Sequence, residues 1–116
     1  MKIGFTAKGT DWDAMIDARF GRARYLIVYD DTADELKVHD NKANSEQTHG
    51  AGPGTAKKLF EMQADILITG NGPGENAANI LQRAGITVYT GAEGLNIKEA
   101  YDHYIKSKLN QFNPKR

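Results

Sequence analysis

Ala64-Asp65-Ile66-Leu67-Ile68-Thr69-Gly70-Asn71-Gly72-Pro73-Gly74 decides the architecture. The first six residues form a continuous apolar run of strand length, the pattern of a strand covered on both faces. The rest is a G-x-G-P-G pentapeptide, followed by Ala77, Ile80, Leu81 and Ala84 at helical spacing. Twenty residues upstream, Gly50-Ala51-Gly52-Pro53-Gly54 repeats the pentapeptide, and Ala56, Leu59 and Phe60 follow at i, i+3, i+4. Each proline therefore stands where a helix begins, a position that tolerates its missing N–H. The resulting helix-strand-helix rhythm continues downstream. Gly85 to Thr90 reads as another strand, Gly91 to Gly94 as a loop, and Ile97, Ala100, Tyr101, Tyr104 and Ile105 as a third amphipathic helix. Helical connections between strands favour parallel pairing.

The N-terminal forty residues follow a different period. Ile3, Phe5 and Ala7 alternate with smaller or polar residues, Tyr25 to Tyr29 is densely apolar, and Glu35 to His39 alternates around Leu36 and Val38. Asp31-Thr32-Ala33-Asp34 is rich in turn formers and predicts a hairpin. The expected fold is an α/β sandwich around a five-stranded mixed sheet of order 3-2-1-4-5, with strands 1, 4 and 5 parallel and about three flanking helices. That is the ribonuclease H-like arrangement. One domain is expected over residues 1–107. Periodicity is lost from Ser107 onward, so the tail 108–116 is expected to fray.

Composition bounds what such a domain can do. The chain has 116 residues, 40% hydrophobic and 26% charged, enough to bury roughly 65% of its unfolded surface. Fifteen basic and fifteen acidic side chains cancel, so overall charge calls for neither nucleic acid nor an anionic membrane. No apolar run approaches the ~20 residues of a membrane span, and the N-terminus lacks the apolar core of a signal peptide. The absence of cysteine excludes disulfides, thiolate zinc sites, thiol nucleophiles and clusters held by protein sulfur, and points to the cytoplasm. A monomer is compatible with these properties.

In an open α/β sheet, ligands bind beyond the carboxyl ends of the parallel strands, near the point where strand order reverses. The loops expected there are 7–20, the second pentapeptide and Gly91 to Gly94, with the first pentapeptide on the same edge. Helix starts present unpaired N–H groups and partial positive charge, and glycines let an anionic ligand approach the backbone. The candidate binding residues are therefore Gly50, Gly52, Gly54, Gly70, Asn71, Gly72 and Gly74; ordinary loop punctuation is the competing account of the same glycines. His49 precedes the first pentapeptide and is the candidate metal ligand. Arg19 and Arg22 could donate forked hydrogen bonds to an anion or pair with Asp13 and Asp17 on the surface. Trp12 and Met15 could contact a partner or pack on the edge of the core. His39 and His103 are expected to be structural or exposed.

Nuclease chemistry would need clustered carboxylates at the ends of strands 1 and 4, and none are there. No Walker loop, dinucleotide fingerprint or nucleophile-base set is present either, so no enzyme activity is expected.

Arg19-Phe20-Gly21-Arg22-Ala23, His49-Gly50-Ala51-Gly52, Thr69-Gly70-Asn71-Gly72-Pro73 and Ala84 to Gly91 together resemble, in order, the dinitrogenase iron-molybdenum cofactor biosynthesis family. This is the family of NifX, NafY and the C-terminal part of NifB. The resemblance covers residues 1–107. It implies a domain that binds or carries an iron-sulfur or iron-molybdenum cluster during cofactor assembly, without catalysis and alongside other assembly proteins. Cofactor-binding members carry a histidine before the Phe-Gly pair; here Arg19 stands in its place, a cation that can pair with a cluster but not ligate it. A small-anion or phosphate-binding module and a protein-interaction or regulatory domain are the alternative functions.

Overall fold

The computed structural model describes residues 1–113. Six strands and four helices follow in the order β1 (Lys2–Ala7), β2 (Tyr25–Asp30), β3 (Glu35–Asp40), α1 (Lys42–Ser45), α2 (Ala51–Glu61), β4 (Ile66–Ile68), α3 (Glu75–Arg83), β5 (Thr87–Thr90), α4 (Ile97–Ile105) and β6 (Asn110–Gln111). They build one open sheet of order β3-β2-β1-β4-β5-β6. β1 pairs antiparallel with β2, and β2 with β3, while β1, β4 and β5 run parallel.

Alternation along each strand splits the core into two layers, as a pleated sheet covered on both faces requires. Leu26, Val28, Leu67 and Val88 pack with Leu59 of α2 and Leu81 of α3 on one face. Ile3, Phe5, Ile27, Ile66 and Ile68 pack with Ile97 and Ala100 of α4 on the other, where Ile16 of the long β1–β2 loop completes the cover. Trp12 of that loop stacks edge-on against Tyr29 at 4.8 Å, packing at the rim of this layer.

The sequence expectation differs from the structure in several places. Pro73 precedes the N-cap Gly74 of α3 instead of opening the helix, and Ile105 is exposed rather than part of the buried face of α4. The sheet has a sixth strand, because Asn110–Gln111 pair antiparallel with β5 inside the segment expected to fray, and Phe112 continues this with an N–H bond to Val88 O at 2.7 Å. Residues 114–116 of that segment lie outside the described residues. The helix α1 is too short to show periodicity and was not expected. Helix α2 begins within the first pentapeptide, with Gly50 as a left-handed cap at φ 82°, and Pro53 lies in its first turn. Phe60, placed on the apolar stripe of that helix, is 58% exposed, since the buried face runs through Ala51, Thr55, Ala56 and Leu59.

Candidate functional site

The carboxyl ends of β1, β4 and β5 lead into three loops that interlock. Asn71 N–H bonds to Ala18 O at 2.9 Å, Gly91 N–H to Gly70 O at 3.0 Å, and Ala92 N–H to Thr69 O at 3.3 Å. Gly70 is buried against the first loop: a Cβ there would lie 2.6 Å from Ala18 Cα. Three residues further on, Gly21 meets the first pentapeptide, where a Cβ would lie 2.8 Å from Gly52 N. The turn 18–21, with Arg19 at its crest, is thus wedged between the two glycine loops. Absence of side chains at Gly21 and Gly70 is what allows this approach.

The glycines of the repeat play two different parts. Gly50 and Gly74 are N-caps of α2 and α3, and a Cβ at either would meet nothing within 4 Å. Neither cap supplies a side-chain hydrogen bond, in contrast to α4, where Asn96 and Glu99 form a full capping box. Gly54 and Gly72 serve packing instead. The space of a Gly54 side chain is taken by Asn44 Oδ1, and its N–H bonds to Gly50 O at 2.9 Å. The space at Gly72 is taken by the Phe112 ring, 2.5 Å from where a Cβ would stand. Gly52 lies against Ala77 of α3, so the two pentapeptides are neighbours. Charge is unequal at the two helix starts: Glu75 occupies the first turn of α3, whereas that of α2 holds no acid.

Among charged groups, Arg19 is 66% exposed and its guanidinium pairs with the Asp17 carboxylate, which is 3% exposed, at 3.3 Å. Among the described residues Arg22 pairs with no carboxylate; its Nη1 donates to Ser45 O at 2.9 Å and Gln47 O at 2.6 Å, tying down the segment that leads to His49. The expected pairing with aspartate therefore holds for Arg19 and not for Arg22. His49 is exposed on the approach to α2. His39 is half-buried on β3, where burial and the nearby Lys58 hold its imidazole below the ordinary value.

The structure thus brings Arg19, Gly70, Asn71 and Gly52 together through direct contacts of their turn, with Gly50 and Gly74 open at the helix starts. Among the described residues no group of three or more His, Cys, Asp or Glu could hold a metal ion. A pocket of about 320 Å³ is lined by Leu81, Ile86, Val88 and Phe112 among others, and Phe112, which also fills the space at Gly72, stands between it and the second glycine loop. Residues missing from the sequence-derived set are Thr6, Thr69 and Phe112. Their signal was weak: two threonines in apolar strands, and an aromatic in an aperiodic tail.

The parallel strand ends of this mixed α/β sheet thus gather two glycine loops, two helix starts without side-chain caps and an exposed arginine, an arrangement whose backbone N–H groups and positive charge suit an anion. Residues 1–107 match the model of the family described as dinitrogenase iron-molybdenum cofactor, and the chain belongs to that family. The apo form of the orange protein from Desulfovibrio gigas is similar at 34% identity with a TM-score of 0.90, over 96% of this chain and 92% of that one. A NifB-assigned protein from Thermotoga, placed in the DUF35 family and solved by NMR, is similar at 30% identity with a TM-score of 0.82, over 99% and 98%. A search of curated proteins finds no match.

Proposed function

We propose that this chain is a non-enzymatic carrier of an iron-sulfur or iron-molybdenum type metallocluster during cofactor assembly. The observation that carries the proposal is the Arg19 turn wedged between two glycine loops where two helices start without side-chain caps. Family membership and the likeness to the orange protein support a cofactor-related role. The β3-β2-β1-β4-β5 part of the sheet supports assignment to the ribonuclease H-like architecture. The setting proposed is the cytoplasm, with cofactor-assembly proteins as partners.

The residues do not fit a resident metal coordinated by side chains, since the chain has no cysteine and the described residues offer no set of three ligands. On this proposal the cluster is cargo that keeps its own sulfides. Arg19 supplies counter-charge, His49 the one imidazole, and the backbone around Gly50, Gly52 and Gly74 hydrogen bonds. Gly54, Gly70, Asn71 and Gly72 contribute shape, two of them with amides already committed at Gly50 O and Ala18 O. Anaerobic titration with a synthetic iron-sulfur cubane, followed by visible absorption, is the test. His49→Ala is expected to weaken binding; binding equal to wild type removes His49 as ligand.

A phosphate-bearing or other small anion is the second ligand class, favoured by the helix starts at Gly50 and Gly74, neither of which is closed by a side-chain cap. Calorimetry against nucleotides and oxyanions tests it. Gly74→Asp is the suitable variant, because its side chain meets no neighbour, whereas one at Gly72 collides with Phe112. Loss of an oxyanion signal in Gly74→Asp supports this class, and a flat response across the panel excludes it.

A further inference from the structure

We infer that Asp17 is a positioning residue, and that Thr69, Thr6 and Asp17 form a buried relay presenting Arg19 as a preset fork to an anion with two acceptor atoms on one edge. The inference rests on the anion-carrying role proposed above and names the chemistry of recognition at that site.

The relay starts at Thr69, between the end of β4 and Gly70. Its hydroxyl lies 2.7 Å from that of Thr6 in β1, and both residues are fully buried. Thr6 Oγ1 donates to Asp17 O at 2.7 Å. A hydroxyl has one proton, so Thr6 spends it on Asp17 and Thr69 must donate to Thr6. Asp17 N–H returns to Thr6 O at 2.9 Å. Both backbone groups of Asp17 are therefore clamped to the end of β1, although the residue sits in a long loop.

Its carboxylate is then spent on one neighbour. Oδ1 accepts from Arg19 N–H at 3.0 Å and from Arg19 Nε at 3.3 Å, and Oδ2 accepts from Nη2 at 3.4 Å. Burying a carboxylate is costly unless its oxygens are satisfied, so the pair is weak ground for stability and strong ground for geometry. A long, exposed arginine would otherwise sample many rotamers. Here the Nε–Nη2 side is held from below, which uses two of five side-chain N–H groups. The end-on edge formed by Nη1 and Nη2 remains, a planar fork that matches two oxygens or two sulfides of one anion. An arginine so held binds through hydrogen bonds and charge, not by coordination.

The test has a sign that separates positioning from bulk electrostatics. Asp17→Asn removes a negative charge from an anion site, so Coulomb attraction alone predicts tighter binding of a synthetic iron-sulfur cubane. Loss of the fork predicts weaker binding, by about tenfold, the equivalent of one charge-assisted hydrogen bond. Arg19→Lys keeps the charge and loses the fork, and is expected to weaken binding similarly. Thr6→Val breaks the relay, and Thr6→Ser restores it. Equal or tighter binding by Asp17→Asn, or Thr6→Ser as weak as Thr6→Val, overturns the inference. In the free protein, relaxation of the Arg19 Nε–H resonance gives a ligand-independent arm: ordered in wild type and Thr6→Ser, averaged in Asp17→Asn and Thr6→Val. An Arg19 equally mobile in all four chains overturns the relay even with anion binding intact. An ordered Arg19 in a protein with no anion affinity overturns the carrier role instead.

Discussion

Glycines of one repeated motif do unlike work in this chain. Gly50 and Gly74 leave their helix starts open, whereas Gly72 exists because the Phe112 ring fills the space a side chain would need. Gly72→Ala is expected to destabilise the protein by about 1–3 kcal/mol through overpacking, measured by urea unfolding. Phe112→Ala costs about 2 kcal/mol as a half-buried aromatic truncation. The double variant should recover part of the sum, since the clash disappears with the ring. Full additivity would show that the two residues do not meet in solution. The sequence displayed the glycines plainly but not their partners. Ala18 and Phe112 come from distant parts of the chain and Asn44 from the short helix before α2, and nothing local in G-x-G-P-G says which glycine is filled from outside.

Elements with strong periodicity were legible. β1 is expected and found at Lys2–Ala7, and the β2–β3 hairpin forms on its predicted turn. There Asp34 takes a left-handed φ of 55° and accepts a 2.8 Å hydrogen bond from Tyr29 OH. That bond, aided by burial, pushes the Tyr29 phenol up to about 12. A raised tyrosine pKa favours the neutral form in the folded state, so this contact stabilises fully below the ordinary value of 10.0 and is lost as pH rises through about 12. Asp34→Asn tolerates the same backbone and removes the carboxylate. Its Tyr29 is expected to titrate at lower pH by ultraviolet absorbance, and an unchanged titration would remove Asp34 as the cause. Elements without periodicity were not legible: α1 has one turn, and β6 two residues whose order depends on β5 being there to pair with.

At the level of the whole molecule, strand order was recoverable because helical crossovers impose parallel neighbours and the hairpin imposes antiparallel ones. The site was recoverable only by half. Topology says which loops share an edge, and so placed Arg19 and the pentapeptides together. That a loop aspartate is buried beneath that edge depends on three-dimensional packing that no spacing in the sequence records. The sixth strand also changes how the edge of the sheet is closed. A chain ending after Lys108 loses the β5–β6 pairing and the Phe112 contact with Gly72. Faster amide exchange in β5 and in the 70–74 loop is expected, read by hydrogen-deuterium mass spectrometry; unchanged protection there would show that the terminal segment holds neither.

The hydroxyl pair that joins β1 to β4 also carries an expectation for the order of folding. Thr6 and Thr69 are 63 residues apart in the chain, whereas the β2–β3 hairpin closes locally. Distant pairings form late, because the entropy of closing a long loop is met before its contacts repay it. The edge that would receive an anion is built on the late seam. On the proposed function, a chain folded only through its N-terminal meander would lack the completed edge, and capture of an anion would report that folding had reached the β1–β4 seam.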